Sequence, residues 1–207
     1  MLGKTHVPAG VTAALLVVRP TTMLGFVSAV AGGALGGAIC DIDCKNTGLH
    51  RETTKAAVLA IGVIAASLLF DLRIGNGILD YFRRTFGTAT IVGAAAFLTC
   101  CVWGAFSKHR TFSHSLLGVL LMTLSLSFVC RPLANALCVG MVSHIALDLL
   151  NRKGIQLLYP LKKPMLCLKL CDADGTVNSL LMIGFSACSV MPMAYFGADF
   201  LPQNPFK

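Results

Sequence analysis

Four of the five histidines in this 207-residue chain, His6, His109, His114 and His144, stand beside polar or acidic residues at the ends of apolar segments. The acidic partners are Asp41 and Asp43 in Cys-Asp-Ile-Asp-Cys, and Asp148 in His144-Ile-Ala-Leu-Asp148. His144 and Asp148 are four residues apart, so on a helix they share one face and both can ligate one cation. Asp41 and Asp43 repel each other unless a cation or a proton intervenes. Placed at the end of a glycine-rich helix, they also oppose its dipole. Magnesium, manganese and zinc all accept such oxygens.

The densest polar cluster is His109-Arg110-Thr111-Phe112-Ser113-His114-Ser115. Histidines five apart share a helix face poorly, so a loop or helix start is predicted, with Thr111 or Ser113 as cap of the next helix. A guanidinium between two imidazoles suits an anionic substrate, because arginine grips phosphate in a fork of two hydrogen bonds. The bland alternatives are a packed histidine at 144, a solvated helix end at Asp41 and Asp43, and a basic loop touching lipid headgroups at 109–114. An ionisable residue in a membrane segment is costly and marks function by default, which favours the chemical readings. His6, in Lys4-Thr5-His6, gains weight only from the side of the membrane it occupies. His50 reads as plain loop, and Asp172 with Asp174 as a turn.

The elements that must position these groups are apolar. Hydrophobic residues make up 56% of the chain and charged residues 13%, where a soluble domain carries about 25% charged residues. Mean hydropathy is +0.76. The composition predicts an all-α, polytopic membrane bundle in one domain, 1–207, with no separate soluble part. Apolar runs cover 7–18, 22–40, 56–70, 88–106, 115–130, 133–150 and 177–198, giving six or seven membrane segments. The first is short of the roughly 17-residue lower limit for a crossing and is interrupted by Pro8. A tight reversal is expected at Arg131-Pro132. The second contains Gly32-x-x-x-Gly36 and Gly33-x-x-x-Gly37, a spacing that lets helices approach closely. No cleavable leader is evident, so 7–18 is read as retained.

Counting crossings puts His6, Asp41, Asp43, His109, His114 and Asp148 on one side, with His144 one turn deeper. That side carries eleven of the 17 Lys and Arg residues, against six on the other, which favours the cytoplasm. The net charge of +8 is explained by this loop bias, and nucleic acid is not an expected partner. Nine cysteines cannot all pair, and no Cys-x-x-Cys occurs. Cys40, Cys44, Cys167 and Cys171 make only a weak zinc-thiolate pattern.

The combination of motifs resembles the YdjM-like bacterial inner-membrane proteins, a family described as predicted membrane-bound metal-dependent hydrolases. The resemblance rests on Lys4-Thr5-His6, Gly36-Gly37-x-x-x-Asp41-Ile42-Asp43, and His109 to Ser115. It continues through Ser143-His144-x-x-x-Asp148, Asn151-x-x-Gly154 and Tyr159-Pro160. Cys40 stands where the family usually shows proline, and Asn178 where it often has an acidic residue. The resemblance implies a multi-pass protein of the bacterial inner membrane and a hydrolase.

The resulting expectation is a metal-dependent hydrolase at the cytoplasmic face, acting on a lipid or lipid-linked phosphoester. His6, Asp41, Asp43, His114, His144 and Asp148 would hold one or two divalent ions, zinc, manganese or magnesium. A bound ion lowers the pKa of its water to about 7. His109 would act as ligand or general acid, and Arg110 would steady a phosphate. Membrane lipid is the expected partner. A transporter or metal-ion permease, and a non-catalytic membrane scaffold, are the competing expectations. A permease predicts ionisable groups at mid-bilayer, which the runs 56–70, 88–106 and 115–130 lack. Neither Ser113 nor Ser143 lies in a nucleophile elbow, which disfavours a serine hydrolase.

Overall fold

The computed structural model describes residues 3–43, 62, 66, 69, 71–73, 77–161, 165–170 and 176–198. Within them the chain is helical apart from short 3-10 turns, loops and an isolated antiparallel bridge between Ile155 and Leu166. The helices are α1 (Gly3–Val18), α2 (Met23–Ile39), α3 (Ile78–Thr85), α4 (Thr88–Phe106), α5 (Leu116–Ser127), α6 (Arg131–Leu149) and α7 (Thr176–Ala198). Single 3-10 turns occupy Cys40–Asp43 and Phe112–His114.

Among the described residues, four helical stretches are long and apolar enough to cross a membrane: Met23–Asp43, Thr88–Phe106, Arg131–Leu149 and Ser179–Phe196. Thr5–Val18 and Leu116–Ser127 are apolar but shorter. The twelve residues of α5 rise about 18 Å at 1.5 Å each, well under a hydrocarbon core of roughly 30 Å. The expected run 56–70 lies largely outside the described residues. The protein is therefore an all-helical membrane protein, and four segments of crossing length lie among its described residues.

Two boundaries differ from the sequence reading for local reasons. Pro8 does not interrupt the first helix, which begins at Gly3 and runs through it. So close to the helix start, the absent N–H deletes a single intrahelical bond. Arg131-Pro132 is the first turn of α6 rather than a reversal before it. Proline is suited to that position because its fixed φ is already helical and its missing N–H would have no partner there.

Helix α2 is the centre of the bundle and packs against both α1 and α6. Its glycines form two stripes. A Cβ at Gly32 would stand 2.7 Å from Ala136 Cβ, and one at Gly36 would stand 2.4 Å from the Leu137 carbonyl of α6. A Cβ at Gly33 or Gly37 would meet the Gly10 or His6 carbonyl of α1 at 2.6 or 2.4 Å. Both spacings noted in the sequence are thus used, one for each neighbour. Helix α5 joins α4 to α6. Val119, Met122 and Leu126 of α5 enter one apolar core with Leu137, Met141 and Ile145 of α6.

Candidate metal centre

The close approach of α1, α2 and α6 brings their polar ends together. His6 comes from the second turn of α1, Asp41 and Asp43 from the 3-10 turn after α2, and His144 with Asp148 from the last turns of α6. The loop before α5 adds His109, Arg110, Ser113 and His114. His6, Asp41, Asp43, His114, His144 and Asp148 are all buried, at 6% exposure or less. The structure thus gathers every residue singled out for the site, from four separate stretches, at one end of the bundle. His50, Cys44, Cys171, Asp172 and Asp174 lie outside the described residues. Cys40 is buried in the apolar core, Cys167 is a free thiol in the 165–170 stretch, and neither joins the cluster.

The His144 ring stacks on His6 with centroids 3.8 Å apart, and meets His114 edge-on at 5.1 Å. His144 Nδ1–H donates to the Gly37 carbonyl at 2.8 Å, which leaves Nε2 with its lone pair. Ser113 Oγ donates to Asp43 Oδ2 at 3.2 Å and accepts from His114 Nδ1–H at 3.1 Å. The lone pair of His114 is therefore also on Nε2. Burial pushes the His114 imidazole below its ordinary pKa, with Asp148 pulling the other way, so the ring is neutral near pH 7. The Nε2 atoms of His6, His114 and His144 are buried and have no hydrogen-bond partner, as is Nδ1 of His6.

The carboxylates face these nitrogens. His6 Nε2 lies 3.5 Å from Asp148 Oδ1, and His114 Nε2 lies 3.6 Å from Asp148 Oδ2. Asp41 Oδ1 is 3.7 Å from His114 Nε2 and 3.8 Å from His144 Nε2. Three sets have ligand atoms mutually within 4.8 Å: His6, His144 and Asp148; Asp41, His114 and His144; and Asp41, Asp43 and His109. A buried polar atom without a partner is costly. Several such lone pairs aimed at carboxylates make a donor set of the nitrogen and oxygen type that divalent ions take.

His109 marks the edge of the cluster. Its side chain is 41% exposed, and its Nδ1 is 2.7 Å from Asp43 Oδ1. Arg110 has φ +65°, a left-handed conformation unusual for a residue with a side chain. It turns the guanidinium inward, where Nη2 pairs with Asp148 Oδ2 at 3.1 Å and Nη1 donates to the Lys153 carbonyl. Its buried Nε has no partner.

The segment after α6 holds this loop in place. Gln156 N–H donates to the Arg110 carbonyl at 2.9 Å, and Leu116 N–H donates to the Leu157 carbonyl at 3.0 Å. Asn151 Nδ2 reaches Asp148 Oδ1 at 3.4 Å. The sequence reading offered Thr111 or Ser113 as cap of α5. Ser115 takes that place, accepting from Gly118 N–H at 3.0 Å, which frees Ser113 for Asp43 and His114. Neither the Gly37 carbonyl nor the partner of Ser113 has a signal in the sequence, because each bond joins segments at least seventy residues apart.

A helical membrane protein whose segment ends enclose a buried His/Asp cluster is the class that fold and site define. The chain belongs to the YdjM inner membrane protein family, whose model matches residues 1–201. It is an inner membrane protein. Over 54 residues it is 43% identical to the uncharacterized protein YvsG of Bacillus subtilis (strain 168), a match covering 25% of this chain and 34% of that protein. The matched stretch spans only about a third of that relative. No solved structure matches the chain significantly.

Proposed function

We propose that this protein is a metal-dependent hydrolase that acts at the cytoplasmic surface of the inner membrane on a lipid or lipid-linked phosphoester. The observation that carries the proposal is the set of buried, unpartnered Nε2 atoms of His6, His114 and His144 facing Asp41 and Asp148. These residues fit a divalent ion: neutral imidazoles and carboxylates are its ordinary ligands, and the site would otherwise retain uncompensated polar atoms. Zinc, manganese and magnesium all suit the donors. When bound, the ion supplies Lewis acidity toward a phosphoryl oxygen and acidifies a water.

The remaining groups have work of their own. His109, exposed at the rim and held by Asp43, would pass a proton to a leaving group. Arg110 brings a positive charge to the site and orients Asp148 through its Nη2. An apolar rim favours a substrate that is itself anchored in the bilayer. Phe106, three residues before His109, is 88% exposed, and Trp103 and Leu116 are 58% and 54% exposed. Residues of this kind beside a polar site would lie against acyl chains while the head group reaches the cluster.

The test is a screen of lipid extracts with detergent-purified protein, following release of phosphate or of a phosphorylated head group. Product formation is expected only with added divalent metal, and His144→Ala and Asp148→Asn are expected to be inactive. Turnover that survives chelation, or that persists in both variants, removes the proposal.

A further inference from the structure

Asp43 differs from its neighbours in the kind of contact it makes. Around the unpartnered Nε2 atoms the nitrogen–oxygen separations are 3.5, 3.6, 3.7 and 3.8 Å. An N–H···O bond measures roughly 2.7–3.2 Å, so these are not hydrogen bonds. Donor atoms that share a tetrahedral ion at bond lengths of about 2.0–2.2 Å stand roughly 3.3–3.6 Å apart. The His6–Asp148 and His114–Asp148 edges, at 3.5 and 3.6 Å, are of that kind, and the edges from Asp41 to His114 and His144, at 3.7 and 3.8 Å, are slightly longer. Asp148 also bonds Arg110 and Asn151, but each of its oxygens in addition faces an unpartnered Nε2, whereas both Asp43 oxygens are engaged in hydrogen bonds. Asp43 Oδ1 is 2.7 Å from His109 Nδ1, and Asp43 Oδ2 accepts from Arg110 N–H and Ser113 Oγ, each at 3.2 Å.

The pattern of sharing adds a second argument. His144 Nδ1–H is bonded to Gly37, so the ring offers one lone pair and serves one ion. The sets His6–His144–Asp148 and Asp41–His114–His144 both use it, and therefore describe one site. A second ion would need Asp41, Asp43 and His109, with Asp41 bridging. Charge opposes it. Asp41, Asp43 and Asp148 are negative and Arg110 is positive, which sums to −2. One divalent ion neutralises the cluster, whereas two would leave +2 in a buried site.

We infer that the centre holds a single ion and that Asp43 is a positioning residue rather than a ligand. Through the Ser113 hydroxyl it fixes the tautomer of His114, so that Nε2 presents its lone pair inward. Through Oδ1 it orients His109 at the rim. This inference rests on the metal-dependent reading above. Outer partners of this kind tune a metal site without binding the metal.

Manganese(II) binding to the detergent-purified chain tests it, with stoichiometry read by mass spectrometry and affinity by calorimetry. The wild type is expected to take one ion per chain. Asp43→Asn and Ser113→Ala should each keep one site, with Kd raised roughly 10–100-fold. Ser113→Ala loses two buried hydrogen bonds, so its metal-free unfolding temperature should fall by a few degrees while the protein stays folded. Asp148→Asn and His144→Ala should lose binding. Cobalt(II) should give the same visible band intensity, hence the same coordination number, in Ser113→Ala as in the wild type. Two ions on the wild type, falling to one in Asp43→Asn, would overturn the inference and leave the metal-dependent function standing. Unchanged affinity in both Asp43→Asn and Ser113→Ala would also overturn it. A wild type that binds no ion would remove the function proposed above as well.

Discussion

Helices α2 and α7 are almost equally apolar, with mean hydropathies of 1.8 and 1.6 over their spanning windows, yet 72% of one window is buried and none of the other. Both would insert in a membrane. What separates them is the size of their side chains. Along one side of α2, Gly33 and Gly37 let the α1 backbone come close, and along the other Gly32 and Gly36 admit α6. Helix α7 shows Leu180, Ile183, Val190, Met191 and Tyr195 outward, each more than half exposed. In lipid, apolar character gives no preference between protein and acyl chain, so close packing of small residues selects the central helix. The site follows that choice, because its ligands sit at the ends of the helices that α2 draws together.

The contrast can be broken with one substitution made twice. Gly36→Leu places a branched side chain where even a Cβ meets the Leu137 carbonyl at 2.4 Å and Met141 N at 2.8 Å. Backbone atoms cannot step aside as a side-chain tip can, so the cost should exceed the about 3 kcal/mol at the upper end of ordinary overpacking. No monodisperse folded protein is expected on size-exclusion chromatography. At Gly184 of α7 a Cβ would meet nothing within 4 Å. Gly184→Leu should change stability by less than about 0.5 kcal/mol in thermal unfolding. Equal effects at the two positions would show that α2 is not the packing centre.

The buried charges of the site and the exposed charges of α3 make a second pair. Arg110 and Asp148 are 12% and 2% exposed, and Asp148→Ala leaves the guanidinium without its carboxylate. Removing one partner of a buried pair costs on the order of 3 kcal/mol. Arg83 and Asp80 of α3 are 79% and 65% exposed and 3.8 Å apart. Asp80→Ala should cost less than about 0.5 kcal/mol, because water already screens the pair. Chemical or thermal unfolding of the two variants reads the difference. A similar loss in both would mean that the cluster is wetter than its burial implies.

Much of this was legible in the chain before folding. The glycine spacing of α2 forecast close helix packing, and the structure uses it against both α1 and α6. The i, i+4 relation of His144 and Asp148 forecast a shared face, and both side chains enter the same cluster. The limits of α4 were read to the residue, since Gly87 and Ser107 bound an uninterrupted apolar run. Periodic and compositional signals carry such features. The role of Ser113 was not legible. Its acceptor lies seventy residues earlier, and nothing in His-Arg-Thr-Phe-Ser-His-Ser distinguishes a serine bonded to Asp43 from one that caps a helix. The clamp formed by 151–161 and 165–170 was equally hidden. It works through backbone N–H and carbonyl groups, such as Gln156 to Arg110 and Leu168 to Leu149, which every residue but proline carries alike.

A chelator separates the site from the rest of the bundle. An ion that binds only the folded protein stabilises it by about 2.7 kcal/mol at a free concentration one hundred times Kd. For a chain of this size that corresponds to roughly 5–10 °C in Tm. Adding a chelator to metal-loaded wild type should remove this increment, and should do nothing to His144→Ala. Gly184→Leu should respond as the wild type does, since α7 supplies none of the ligands. Identical curves for the wild type with and without chelator would argue that the lone pairs of His6, His114 and His144 are satisfied by something other than a metal.

The smallest expected difference lies between two helix caps of the same chemistry. Thr22 caps α2 at an exposed position, its Oγ1 accepting from Gly25 N–H at 3.0 Å. Ser115 caps α5 with no exposure, its Oγ accepting from Gly118 N–H at 3.0 Å while donating to the Phe112 carbonyl at 2.7 Å. In Thr22→Ala water replaces the lost acceptor, and the cost should stay near 0.5–1 kcal/mol. Ser115→Ala removes two buried bonds where no water is at hand, so about 1–2 kcal/mol is expected. It also loosens the turn that carries His114, so metal affinity should fall along with stability, while Thr22→Ala leaves affinity alone. Paired unfolding and manganese-binding curves would read both effects. Equal losses of stability with affinity unchanged in both would mean that the Phe112–His114 turn is held by the segment at Gln156 and Leu157 rather than by its own cap.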